Sequence, residues 1–400
     1  SATFPAHIPV SADSADILAY INQPIEGRKP VGYQRDFLDS YQPNSTWYLP
    51  ASLRKQLHQI GRTTQLDQPA GTHSRAILNR LLIDLSWASS QLEGNTYSLL
   101  DTRELIEHGH AATGKAALET QMILNHKTAI EMLVQNIDNV GLNRFTIMNL
   151  HSTLAENLLP NPHDEGQIRQ HAVNIGKSVY RPLGSPQLID ELLNELLDKA
   201  NAISDPFEQS FFMMVHLPYL QPFVDVNKRV SRLAANIPMI QRNLCPLSFV
   251  DVPQSLYISA LLGVYELHRT ELLRDVFIWA YKRSCARYSA VRQSLGDPDP
   301  FRLQFREKIA EVVAHVVRQK MNKEQAVRHI QQVAQKIEAL HRPRFIEVVE
   351  TQLVLLVDKA EQIRNVLNQN VKNVKSLKIS WKHHNLVVCN YQKVMAEQFV

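Results

Sequence analysis

Cysteine is scarce in this 400-residue chain: Cys245, Cys285 and Cys389 are the only three, far apart and odd in number. That pattern excludes a disulfide framework or a zinc ribbon. Glycine is sparse as well, with 13 residues, while runs of Leu, Ala, Ile, Glu, Gln and Lys dominate, a balance that favours helices. No apolar run approaches the roughly 18 residues that a membrane-crossing helix needs. The N-terminus also lacks a basic start followed by a hydrophobic run. Excess charge of one sign is missing too. A formal net charge of +4 over this length does not by itself imply nucleic acid or membrane. These absences predict a soluble, cytoplasmic protein of two or three domains with no membrane partner.

Along the chain, residues 1–45 are rich in Pro, Ser and Asp with little periodicity, and read as an extended arm packed on the body. A helix is expected over Ala51–Ile60. From Ile77 a 3.6-residue stripe through Leu81, Leu85, Ala88 and Leu92 predicts another, ending at Glu93-Gly94. Further helices are expected at Thr102–His108, Ala117–Gln135, Arg144–Glu156, Ile189–Ala202, Pro206–Leu220, Lys228–Gln241 and Val252–Leu267. Between them, Val173 and Ile175 alternate with polar neighbours and Gly176-Lys177 can turn the chain. A short β-hairpin within Ile168–Pro182 is the expectation there. Gly296–Pro300 marks a boundary, with three more helices near Phe301–Gln319, Lys323–Leu340 and Arg344–Leu367. The division is therefore an arm and helix over 1–75, a core over 76–290 and a C-terminal helical domain over 297–400. The last part carries no acid from Gln362 through Ala396, but holds Arg364, Lys372, Lys375, Lys378, Lys382 and Lys393. A solvated basic end is the plain reading of that tract, and a face for nucleic acid or an acidic partner the functional one.

Two apolar segments, Phe211–Leu220 and the one starting at Leu233, flank the run Gln221-Pro-Phe-Val-Asp-Val-Asn-Lys-Arg-Val-Ser-Arg232. A helix starting near Asn227 would aim unpaired N–H groups and its positive dipole end at an anion. Asp225 just ahead of it is suited to Mg²⁺, a hard cation that bridges phosphates. Arg229 and Arg232, three apart, share one helix face and can clamp phosphate oxygens.

This run resembles the signature of the Fic family, His-Pro-Phe-x-Asp/Glu-Gly-Asn-Gly-Arg-x-x-Arg, whose members mostly transfer AMP from ATP to a protein hydroxyl. Pro222, Phe223, Asp225, Asn227, Arg229 and Arg232 match; Gln221, Val226 and Lys228 stand where the family has His, Gly and Gly. The resemblance implies metal binding by Asp225, phosphate binding by Asn227, Arg229 and Arg232, and ATP and Mg²⁺ as cofactors; Lys228, a flexible cation where the family has glycine, is read either as a further phosphate contact or as filling the pocket. The departures weigh against fast chemistry. Gln221 holds the place of the catalytic base, yet an amide cannot take up a proton near neutrality. Losing a positioned base typically costs about 10²–10⁴-fold in rate. Val226, being β-branched, disfavours the positive φ that glycine permits.

A second stretch, Ser89-Ser-Gln-Leu-Glu93-Gly94-Asn95, resembles the family's inhibitory motif, Ser/Thr-x-x-x-Glu-Gly/Asn. By that resemblance Ser89 and Glu93 are inhibitory residues and Glu93 pairs with Arg232. A glutamate in the last turn of a helix needs a partner in any case, because the dipole there disfavours negative charge. Gly166-Gln-Ile-Arg169, followed by Val173, Ile175, Tyr180 and Pro182, resembles the flap on which the family lays a target segment by strand addition. The resemblance covers roughly residues 45–285. It implies a mostly α fold, a Fic-type helical core with a small β-hairpin flap, and a protein target that the sequence does not name.

Three other patterns lead elsewhere. Gly109–Lys115 fits the start of a P-loop, but Ala116 replaces the Mg²⁺-binding hydroxyl and the segment follows a helix. His383-His384 and His163/His171 lack companions at metal-ligand spacing. His216 falls on a different side of its helix from Gln221 and reads as a core histidine. Two functional readings stay open for the loop: a nucleotide- or partner-binding regulatory module that has lost ordinary AMP transfer, and an active, atypical adenylyltransferase. A nucleic-acid role for the basic C-terminal region is a third.

Overall fold

The computed structural model describes residues 7–63, 66–292 and 300–356, so the basic tract 362–396 lies outside the described residues. The chain forms two compact units, one spanning His7–Gly296 and one from Asp297 onward.

A helix that is apolar all round must be surrounded by protein, and in the first unit that helix is Pro206–Leu220, buried along nearly its whole length. Built around it in chain order are α1 (Ala12–Ile21), β1 (Val31–Gly32), α2 (Asp36–Asp39), α3 (Ala51–Gly61), α4 (Thr72–Ala76), α5 (Leu78–Gln91), α6 (Leu99–His108) and α7 (Ala117–Gln135). Then come α8 (Arg144–Ala155), β2 (Tyr180–Arg181), α9 (Pro186–Ala202), the central helix α10 (Pro206–Leu220), α11 (Asn227–Ala234), α12 (Ile237–Gln241), α13 (Gln254–Leu267) and α14 (Glu271–Arg292). Helices α9, α11, α12 and α13 pack on α10, while α5, α7 and α8 form an adjoining layer in which α8 reaches α11. Side-chain caps start several of these helices. Asp205 accepts from the N–H groups of Phe207 and Glu208 at the head of α10, and Ser98 with Asp101 forms a capping box on α6.

The expected single helix over Lys228–Gln241 is two, α11 and α12, because Pro238 permits only a fresh first turn there. The arm also departs from expectation, since it contains a regular helix, α1. Ile17 of α1 lies so close to Gly263 of α13 that a Cβ on that glycine would meet Ile17 Cγ2 at 2.6 Å. Two buried polar residues of α10 bind the arm to the core. Glu208 accepts from the Tyr41 hydroxyl (2.9 Å) and from the N–H groups of Tyr48 (2.7 Å) and Leu49 (2.9 Å). His216 meets the Tyr48 hydroxyl at 2.7 Å among Phe37 and Phe212, a core histidine.

The expected hairpin is not formed. A turn does occur at 176–177, but residues 172–175 carry no ladder, and Tyr180–Arg181 pairs in parallel with Val31–Gly32 of the arm. The physical reason is competition for the backbone. Arg28 takes Lys177 O (2.8 Å), and Glu266 takes the Ser178 hydroxyl (2.7 Å) and Val179 N–H (3.2 Å), while Arg28 and Glu266 form a buried ion pair at 2.8 Å.

The second unit holds α15 (Pro300–Gln304), α16 (Arg306–Arg318), α17 (Lys323–Ala334) and a helix over residues 342–356. Its core face on α16 is Ile309, Val312, Val313 and Val316, whereas Val317 is exposed. Among the described residues no helix is long and apolar enough to cross a membrane.

Candidate functional site

The site is the loop between α10 and α11, and its own side chains close it. Gln221 ends α10 in the left-handed region (φ 52°). Its amide donates to Pro218 O (2.8 Å) and accepts from Asn227 Nδ2 (2.9 Å). Asn227 also donates to Phe223 O (2.9 Å) and accepts from Phe223 N–H (3.0 Å), so one amide spans the whole turn. Phe223 is fully buried and stacks on His151 of α8, with centroids 3.8 Å apart.

Val226 sits at the N-cap of α11 with φ 70°, an outlier for a β-branched residue. Such strain costs on the order of 1–3 kcal/mol. Burial of its side chain and an N–H bond to Asp225 Oδ1 (2.6 Å) offset part of it. Asp225 otherwise faces solvent, with its side chain 72% exposed and its second oxygen 3.9 Å from Arg229.

Behind the loop three cations converge on one carboxylate. Arg232 is wholly buried and donates to Ser89 Oγ (3.0 Å), Ser89 O (3.0 Å), the Tyr257 hydroxyl (3.2 Å) and Glu93 Oε1 (2.6 Å). Lys228 Nζ takes the other carboxylate oxygen, Oε2, at 2.9 Å. Burial works against an ionised Glu93, yet Arg232, Lys228 and Arg229 together hold its pKa down at about 2. Arg229 is also buried, but its Nε and Nη1 have no hydrogen-bond partner. Desolvation pushes the Arg229 guanidinium pKa down, and Glu93 and Asp225 act against that.

Two histidines brace this arrangement from outside. His126 must donate from Nδ1 to Met122 O (2.8 Å), which leaves Nε2 to accept from Ser89 Oγ (2.8 Å), whose oxygen in turn accepts from Arg232. Burial, with Arg229 and Arg232 nearby, keeps His126 neutral with a pKa of about 3. His151 donates from Nε2 to Asp225 O (3.2 Å) and accepts from Gly166 N–H (2.9 Å); burial lowers its pKa to about 4. Neither imidazole has a nitrogen free for a substrate.

The structure thus brings together Gln221, Asp225, Asn227, Lys228, Arg229 and Arg232 on the loop with Ser89 and Glu93 at the end of α5. The flap residues lie apart from this cluster of contacts. Val173 and Ile175 are half-buried in irregular chain, and Tyr180 is buried with its hydroxyl on Tyr219 O (2.6 Å). The sequence placed Arg169 only within the flap resemblance and not at the loop, yet it is buried and donates to Gln221 O (2.6 Å), His171 O (2.9 Å) and Leu183 O. Nor did it find His126, His151 or Tyr257, whose partners are remote in sequence. Lys115, in the P-loop-like stretch, binds Thr96. Among the described residues no three His, Cys, Asp or Glu side chains group to hold a metal.

Residues 141–239, which contain α8 through α11 and the loop, match the Fic/DOC family. That stretch is similar to a Fic domain. Among curated relatives, protein adenylyltransferase fic-1 of Caenorhabditis elegans is 27% identical over 179 residues, 42% of this chain and 34% of the relative. Protein adenylyltransferase Fic of Drosophila melanogaster is 26% identical over 204 residues, 47% of this chain and 40% of the relative. The chain therefore spans well under half the length of the curated relatives it matches. Among solved structures, a Fic family protein from Desulfovibrio desulfuricans superposes with a TM-score of 0.52 at 18% identity, over 76% of this chain and 89% of that one. Fic-1 from C. elegans does so with a TM-score of 0.51 at 20% identity, over 61% and 73%. These two likenesses establish a mostly helical Fic fold.

Proposed function

We propose that this Fic domain keeps a polyphosphate site but lacks the group that would take a proton from a target hydroxyl, and so acts as a nucleotide-binding regulatory module. The observation that carries the proposal is the buried guanidinium of Arg229, with Nε and Nη1 unpartnered beside the first turn of α11. Buried charged donors are rarely left unmet, and here they lie where a helix already favours an anion. ATP phosphates fit that donor set. Asp225, exposed and single, is suited to Mg²⁺ held jointly with phosphates, since Mg²⁺ usually takes only one or two carboxylates and keeps water for the rest.

Loss of transfer is supported by Gln221, whose amide is spent on Pro218 and Asn227, and by two neighbouring imidazoles whose nitrogens are already engaged. The relatives named protein adenylyltransferase supply the activity from which this site departs. Glu93 would restrain nucleotide entry by its negative charge beside Arg229.

The test uses the full chain with Mg²⁺ and ATP. By calorimetry Glu93→Gly should bind ATP, and adding Arg229→Met should weaken it about ten-fold or more, as loss of charge-assisted bonds of roughly 1.5–3 kcal/mol requires. With ATP labelled at the α-phosphate, Glu93→Gly should acquire no label, on itself or on a lysate protein. Label should appear once Gln221→His, Val226→Gly and Lys228→Gly are added. Label on Glu93→Gly with Gln221 intact, lost with Asp225→Ala, would instead establish an atypical adenylyltransferase.

A further inference from the structure

Glu93 and Lys228 are each placed at the wrong end of a helix. Glu93 lies just past the C-cap Leu92 of α5, where the exposed carbonyls disfavour a carboxylate. Lys228 lies in the first turn of α11, where the N–H groups disfavour an ammonium. Each misplacement costs roughly 0.3–1 kcal/mol in isolation. The fold brings the two ends together, and the 2.9 Å ion pair offsets both.

The two cations on Glu93 are not equivalent. Arg232 is 0% exposed and fixed by Ser89 and Tyr257 whether or not Glu93 is present. Lys228 is a third exposed, and Glu93 is its ion-pair partner. An ammonium on a flexible stem can change partner at little cost, unlike a guanidinium locked in four bonds. Arg229, next along the helix, offers buried donors to an incoming anion, and a phosphate docked there would lie at the same first turn as Lys228.

We infer that Lys228 is an exchangeable cation, held by Glu93 in the free protein and passed to a bound polyphosphate. Its transfer leaves Arg232 as the one ion pair of Glu93 among the described residues, which loosens the hold of α11 on the end of α5. Nucleotide binding and release of Glu93 are thereby coupled through one side chain. This rests on the proposed nucleotide site, and concerns its regulation.

The experiment is a double-mutant cycle on the full chain, with ATP binding measured by calorimetry for the native protein, Lys228→Met, Glu93→Gln and the double variant. With Glu93 present, removing Lys228 both weakens the latch and deletes a phosphate contact, so affinity should change by less than about three-fold. With Glu93→Gln, only the contact remains to be lost, and affinity should fall about ten-fold. Thermal melts without ligand read the same pair independently: Lys228→Met should lower the melting temperature in the native background and not in Glu93→Gln. Equal effects of Lys228→Met on affinity in both backgrounds would overturn the exchange while leaving the nucleotide site standing. Failure of Glu93→Gln to bind ATP at all would remove the nucleotide site, and the exchange with it.

Discussion

At the scale of single residues, Glu93 is the clearest meeting of charge and burial. Its folded pKa of about 2 lies below the 4.5 of a free glutamate. The stabilisation is therefore fully present above about pH 4.5 and is lost as pH falls toward the folded value. A depression of this size corresponds to roughly 3 kcal/mol. The difference in urea midpoint between the native protein and Glu93→Gln should accordingly narrow as pH falls from 5 to 3. A difference that stays constant over that range would mean that Glu93 is not held ionised. Val226 teaches a different lesson at this scale. Its side chain argues against a positive φ, yet the chain adopts one at the start of α11, where that side chain is buried.

At the scale of elements, the loop between α10 and α11 is held from the flap side by one residue. Arg169 N–H reaches Pro222 O at 3.0 Å, and its guanidinium serves carbonyls of Gln221, His171 and Leu183. Arg169→Met should leave those carbonyls short of a donor and lower stability by about 3 kcal/mol or more, with a lower urea midpoint and an unchanged slope. Arg169→Lys should not restore it, since one ammonium cannot span the same fork of acceptors. A loss under about 1 kcal/mol in Arg169→Met would show that water replaces the guanidinium freely. Helix positions were largely legible from periodicity, down to Ala117–Gln135 and Pro206–Leu220. The hairpin was not. Alternation at Val173 and Ile175 signals a half-buried segment, which these residues form, but not its hydrogen-bonding partner.

At the scale of the whole first unit, three histidines are buried uncharged: His126 and His216 with pKa values of about 3, and His151 at about 4, all chiefly through desolvation. Each folded pKa is below the unfolded value of 6.5, so the stability they confer is complete above that pH and is lost as pH falls. Each should add a slope of about 1.4 kcal/mol per pH unit between about 6 and its folded pKa. Urea melts at pH 7, 6 and 5 should show stability dropping ever more steeply, and His216→Leu should make the drop shallower. A flat profile from pH 7 to 5 would mean that these rings titrate normally.

What the sequence determined by itself was whatever depends on neighbours along the chain: helix spans from apolar spacing, and a polar loop bearing Gln221, Asp225, Asn227, Arg229 and Arg232 between two apolar segments. The pairing of Glu93 with Arg232 was reached by resemblance, and the need of a helix-ending glutamate for a partner supported it. Only the tertiary structure decided that Lys228 shares that carboxylate, that Arg229 keeps unmet donors, and that β2 pairs with the arm. Each of these depends on which distant groups are desolvated together, and desolvation is a property of packing, not of local spacing.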